Sequence, residues 1–191
     1  MKYVKILGLL AVAAAAPMAF AGTAMATTVT TTTGGAAATP TIHLVNWVSH
    51  LTLLNPVANI SCASTVELAV EKHGGSATAK GNLAKLTFTG CTNGWHVTAI
   101  SNGSLEMHHL SGHNGLVTSS GTKIDATRLG ITCVYETSNT TLGMLYGGAF
   151  PLLELEASVP INHSESSSLC GVSDAHWDGA YQATSALYVA P

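Results

Sequence analysis

Histidine and cysteine offer the most chemistry in this chain, and histidine is the more suggestive of a metal. Nine histidines are present, and His108-His109-x-x-x-His113 has the density of a ligand cluster. A metal site, however, needs side chains that converge on one ion. If Leu105 to Leu110 is a strand, neighbouring side chains point to opposite faces, so His108 and His109 cannot ligate together. His108 then lies on the side of Glu106, and His113 follows Gly112 in a turn. A His108/His113 site would still want a third ligand. His43, His50, His73, His96, His163 and His176 have no ligand spacing at all. The pattern predicts neither a metal nor a cofactor.

Hydrolytic chemistry would need a nucleophile, a base and an orienting acid. Ser, His and Asp are all present, but no G-x-S-x-G elbow or comparable local signature occurs. Glu154 and Glu156 are paired carboxylates on one strand, and solvated edge charge explains them more simply than a glycosidase pair. No catalytic residue is assigned, and the chain reads as a non-enzyme. Trp47, Trp95 and Trp177 each stand near a histidine, in WVSH, WH and HW. Such pairs suit a sugar ring or an apolar ligand, although a plug between sheets is the commoner role of Trp. Trp47, Val48, Leu51, Leu53 and Leu54 could line an apolar crevice in the same way. N-x-S/T triplets occur at Asn59, Asn102, Asn139 and Asn162 and are read as ordinary polar positions, because the start of the chain looks bacterial.

That start has the form of a secretory signal over residues 1–26. Lys2 and Lys5 precede the apolar run Ile6 to Ala16, and Pro17 breaks the run. Cleavage after Ala21 or after Ala26 fits, and the second leaves 165 of the 191 residues. The run is shorter than the roughly 20 residues needed to span a bilayer. Without Lys2 and Lys5, five basic residues face ten acidic ones, a net charge of −5 with His neutral. The remaining cations are scattered singly, which excludes a nucleic-acid binder built on a basic patch. Residues 27–40 (TTVTTTTGGAAATP) read as a Thr/Gly-rich leader, with a Thr-rich first strand as the alternative.

Residues 41–191 read as a single β-domain. Val66, Leu68 and Val70 oppose Glu67, Ala69 and Glu71; Ala84, Leu86 and Phe88 oppose Lys85 and Thr87; Leu153, Leu155, Ala157 and Val159 oppose Glu154, Glu156 and Ser158. Each alternation places one face in the core and one in water. Gly74-Gly75, Asn93-Gly94, Asn102-Gly103, Asn114-Gly115 and Gly147-Gly148 supply turn chemistry between the runs. The expected fold is all-β: an antiparallel sandwich or partly open barrel. Cys62 precedes one strand and Cys91 ends the strand returning beside it, while Cys133 and Cys170 flank a second strand-rich stretch. In an oxidising compartment this predicts two disulfides, Cys62–Cys91 and Cys133–Cys170.

A family resemblance adds to this reading. TFTGC, then WHVTAI, LGITCVYET, SSLCG and a terminal Trp177-x-Gly179-x-Tyr181 strand ending in VAP follow one another in order. Over roughly Ile42 to Pro191 the chain resembles the secreted bacterial activators of alkane oxidation, the PraB-like family. Gly94 stands where many relatives carry Pro before the Trp. The resemblance implies an exported, disulfide-bearing β-protein with no established catalytic set, and a role in handling hydrophobic growth substrates at the cell surface. The expected function is therefore that of a secreted accessory protein of the bacterial envelope or exterior, assisting uptake or oxidation of compounds such as alkanes. A structural or adhesive surface protein is the alternative. Partners would be hydrophobic small molecules, other envelope proteins or further copies of the chain.

Overall fold

In the computed structural model, residues 27–34, 41–55, 58–70, 78–172 and 174–191 are described, with the backbone alone over 41–55 and 58–59. Alternating side chains and turn residues divide them into strands β1 (Thr28–Thr30), β2 (Thr41–Asn55), β3 (Ala58–Val70), β4 (Ala79–Thr89), β5 (His96–His109) and β6 (Gly115–Arg128). After these come β7 (Ile131–Glu136), β8 (Thr140–Tyr146), β9 (Leu152–Val159), β10 (Ala175–Ala183) and β11 (Tyr188–Ala190). Thr92–Gly94 and Ser168–Cys170 form short 3-10 turns. The all-β expectation holds.

The sheet is a barrel in one half and a sandwich in the other. Strands β2-β3-β4-β5-β6-β8-β9-β10 pair in that antiparallel order, and β10 returns to β2. Two of those joins are short. β4 meets β5 only over Ala79–Asn82 against Ser104–Met107, and β8 meets β9 only from Gly143/Leu155 to Tyr146/Leu152. Beyond them β6 changes partner, giving Gly115–Ser119 to β8 and Lys123–Arg128 to β7. The ring therefore parts along two seams into sheets β5-β6-β7 and β4-β3-β2-β10-β9. Buried residues from both sheets belong to one core, with Trp177, Tyr181 and Tyr135 among its most enclosed members.

Glycines permit the change of course. Gly103 in β5 (φ 60°) and Gly121 in β6 (φ 72°) are both left-handed, and they sit where the barrel gives way to the sandwich. A Cβ on Gly103 would lie 2.3 Å from the Thr122 nitrogen and 2.5 Å from the Ser120 carbonyl. Asn102-Gly103 thus kinks a continuous strand rather than turning a hairpin, which corrects the reading of that dipeptide. Asn93-Gly94 and Gly147-Gly148 do lie in connections, and Gly74-Gly75 lies outside the described residues.

Each seam carries a disulfide. Cys62 of β3 bonds Cys91, in the connection from β4 to β5; Cys133 of β7 bonds Cys170, in the connection from β9 to β10. Both predicted pairings are present. The outer edge of β7 is covered by the segment that follows β9: Glu136 N donates to Pro160 O (3.0 Å), Asn162 N to Val134 O (2.7 Å) and Ser167 N to Thr132 O (2.8 Å). A covered edge cannot recruit a foreign strand.

Three further findings bear on the sequence reading. The faces of β3 and β9 are as expected, with Val66, Leu68, Val70, Leu153, Leu155, Ala157 and Val159 all buried. In β4 a register shift opposite Glu67/Leu68 turns Ala84 outward and buries Leu83 instead, so the expected face begins only at Leu86. Within the stretch read as a leader, Thr28–Thr30 pairs with Tyr188–Ala190, and Val29 and Val189 are buried. The strand alternative describes those residues, while residues 1–26 and 35–40 lie outside the described set.

Two outcomes follow. Loops of 29 and 37 residues imply that replacing either cysteine pair by serine costs about 3–4 kcal/mol on the chain-entropy model, read as a lower urea midpoint; an unchanged midpoint for both variants would refute it. Gly103→Ala should cost about 2 kcal/mol or more, through left-handed strain plus the clash with the Thr122 amide. Gly34→Ala, also left-handed (φ 68°) but with nothing within 4 Å of a Cβ, should cost only the backbone strain and so isolates the clash.

Candidate functional site

Where β4 and β5 part, their separation leaves a groove. It encloses about 590 Å³ and is lined by Phe88, Cys91, Trp95, His96, Val97 and their neighbours. The disulfide fixes its base, because Cys91 is tied to β3 just before the 3-10 turn. Asn93 (φ 57°) and Gly94 (φ 70°) then reverse the chain and send Trp95 back inward, where it is 5% exposed. Phe88 is partly buried, and its ring centre lies 6.2 Å from that of Trp177. An adjoining depression of about 490 Å³ shares Gly94 and His96 and adds Asn93, Arg128 and Leu129. Leu129, at the tip of the β6–β7 turn, is 90% exposed. Leu169 and Val172, beside the second disulfide, are also exposed at this end.

Behind the groove, two buried polar atoms among the described residues lack a partner: Trp95 Nε1, and Asp125 Oδ1 on β6 opposite Thr98. Trp177 Nε1 donates to Tyr181 OH at 2.9 Å, and Tyr181 OH bonds Ser64 Oγ at 2.6 Å. Trp95 Nε1 is buried with no acceptor. An unmet buried donor costs roughly 1–3 kcal/mol, so this indole is a local cost to the stability of the core. The plug reading therefore describes Trp177 fully and Trp95 only in part. The side chains of Trp47, Val48, Leu51, Leu53 and Leu54 lie outside the described residues, so the crevice expected there is not the one described here.

The remaining candidates are dispersed. His108 Nε2 is 3.9 Å from Glu106 Oε2, His109 Nε2 contacts the Gly112 carbonyl at 3.2 Å, and the His113 ring stacks edge-on against Tyr188. Among the described residues no three His, Cys, Asp or Glu side chains converge as metal ligands. Glu154 and Glu156 are exposed on β9, as alternation required, and Asp178 stands opposite Glu156 on β10. The charge of Glu154, with a hydrogen bond from the phenol, raises the pKa of Tyr146. Lys123 joins the sandwich to its covering segment: it contacts Glu165 (2.5 Å) and Glu136 (3.4 Å), and both carboxylates hold its ammonium charged above the usual lysine range. Asn162 Nδ2 donates to Glu136 at 2.8 Å, so that N-x-S amide is engaged in the same network.

Sequence reasoning paired Trp95 with His96 but missed Phe88 and Arg128 as their neighbours. The signal that could have found Phe88 is the disulfide itself, since Cys91 lies between TFTG and TNGWH. No family model, curated protein or solved structure matches the chain. The class is defined by the fold alone: a disulfide-stapled antiparallel barrel that opens into a sandwich. No helix among the described residues is long and apolar enough to cross a membrane.

Tyr135 offers a probe of this half of the core. Burial, and secondarily the charge of Asp174, raises its pKa above the ordinary 10.0. The unfolded chain then ionises first, so stability is intact below pH 10 and declines as the pH rises past it. Absorbance titration should show a late-ionising tyrosine that Tyr135→Phe removes; a normal titration would contradict this burial.

Proposed function

We propose that the protein is an exported, non-enzymatic accessory protein of the bacterial envelope or exterior that holds hydrophobic compounds in the β4–β5 groove. It would thereby assist uptake or oxidation of substrates such as alkanes. The observation that carries this reading is the groove with Phe88 and Trp95 along it, at the end of the molecule where Leu129, Leu169 and Val172 are exposed. Its volume falls in the roughly 300–1,000 Å³ range of small-molecule sites, and such sites are mostly apolar with few polar groups. Export is supported by two disulfides, which persist in oxidising compartments. The resemblance to the PraB-like family points the same way.

A structural or adhesive role has one observation in its favour. Among the described residues Leu83–Thr89 of β4 has a strand partner on one side only, and its other edge meets the Asn102 amide at Ala84 O. Against it stand the closed half of the barrel and the covered edge of β7.

Intrinsic Trp fluorescence on titration with medium-chain apolar compounds should change saturably, and Phe88→Ala should weaken the apparent affinity about tenfold through lost contact area. A flat titration would remove the proposal. Sedimentation that shows concentration-dependent assembly with no ligand response would favour the adhesive reading instead.

A further inference from the structure

The two adjoining depressions differ in chemistry. The larger is lined by Phe88 and Trp95, the latter almost wholly buried; the smaller has Arg128 and shares His96 with it. Among the described residues no acidic side chain lines either one, although ten acidic residues outnumber seven basic ones in the chain. Arg128 is the single arginine of the sequence. Among the described residues it makes no ion pair, whereas Lys80 and Lys123 both face glutamates. A guanidinium with no carboxylate beside a groove that carries Phe88 is charge-complementary to an anion, and its planar fork suits a carboxylate in particular. A purely hydrocarbon ligand would leave the guanidinium as it is.

We infer that the groove selects an apolar chain ending in a carboxylate, with the chain along Phe88 and Trp95 and the head group at Arg128. This rests on the apolar-ligand reading above and specifies its substrate class: oxidised, acidic products of hydrocarbons rather than the hydrocarbons themselves. The anion accepts hydrogen bonds from the guanidinium, and the groove desolvates the chain. His96, which lies on both depressions, borders the passage between chain and head group.

The test uses three chain-matched probes on the full disulfide-intact protein: decanoate, 1-decanol and decane, each below its aggregation limit, followed by Trp fluorescence and calorimetry. Decanoate should bind at least tenfold more tightly than decanol, and the advantage should shrink with added salt. Arg128→Gln, at a half-buried position outside the core, should abolish that advantage, with decane, which has no polar group to meet the guanidinium, as the reference. Equal binding of decanoate and decanol in the native protein would overturn the inference while leaving the apolar-ligand reading intact. A decanoate preference that survives Arg128→Gln would also overturn the assignment. Binding of none of the three would remove both.

Discussion

Hydrogen bonding along one edge of β6 constrains everything else in this molecule, because a strand edge can serve only one neighbour at each residue. From Gly115 to Ser119 that edge belongs to β8, and from Lys123 to Arg128 it belongs to β7. The ring can close only where β8 is the partner. Where β7 takes over, the five-stranded sheet loses its link to β6 and two seams open. Backbone groups freed in this way must be met elsewhere. On the β7 side they are met by Pro160, Asn162 and Ser167 of the following segment. On the β4 side the separation persists as a groove, spanned near its start by the Asn102 amide donating to Ala84 O at 3.3 Å.

The placement of the disulfides follows from the same division. A closed barrel needs no covalent aid to keep its strands together, whereas two facing sheets with short shared joins can drift apart. One bridge holds the β3 side to the β4–β5 connection, and the other holds β7 to the β9–β10 connection. At the kink itself a different device operates. Ser119, Thr122 and Thr137 form a buried hydroxyl cluster (Ser119 Oγ to Thr122 Oγ1, 2.8 Å), and Thr122 Oγ1 donates to Asn102 O at 2.9 Å. Hydroxyls can both donate and accept, so they satisfy backbone groups displaced by the bend without burying charge.

Strand identity and cysteine pairing were legible in the sequence because both depend on local alternation. The β9 face from Leu153 to Val159 could be read directly, and so could β3 from Val66 to Val70. What escaped was long-range or irregular. The register shift that turns Ala84 outward leaves no trace in composition, and Asn102-Gly103 looks the same in a hairpin as in a kinked strand. The pairing of Thr28–Thr30 with Tyr188–Ala190 joins residues at opposite ends of the sequence, beyond the reach of any local pattern. The groove was half visible. Trp95 and His96 stood out by type, but Arg128 comes to the same depression as His96 only because β5 and β6 run side by side, with His96 paired to Thr127.

The β1–β11 ribbon sits at the pole away from the disulfides, where Thr27 Oγ1 accepts from His109 N and Val189 N donates to His113 O. Both ends of the folded unit therefore leave from one side. A tether or carrier attached at either terminus would hold the molecule at the pole opposite both disulfides and leave the β4–β5 seam at the far end.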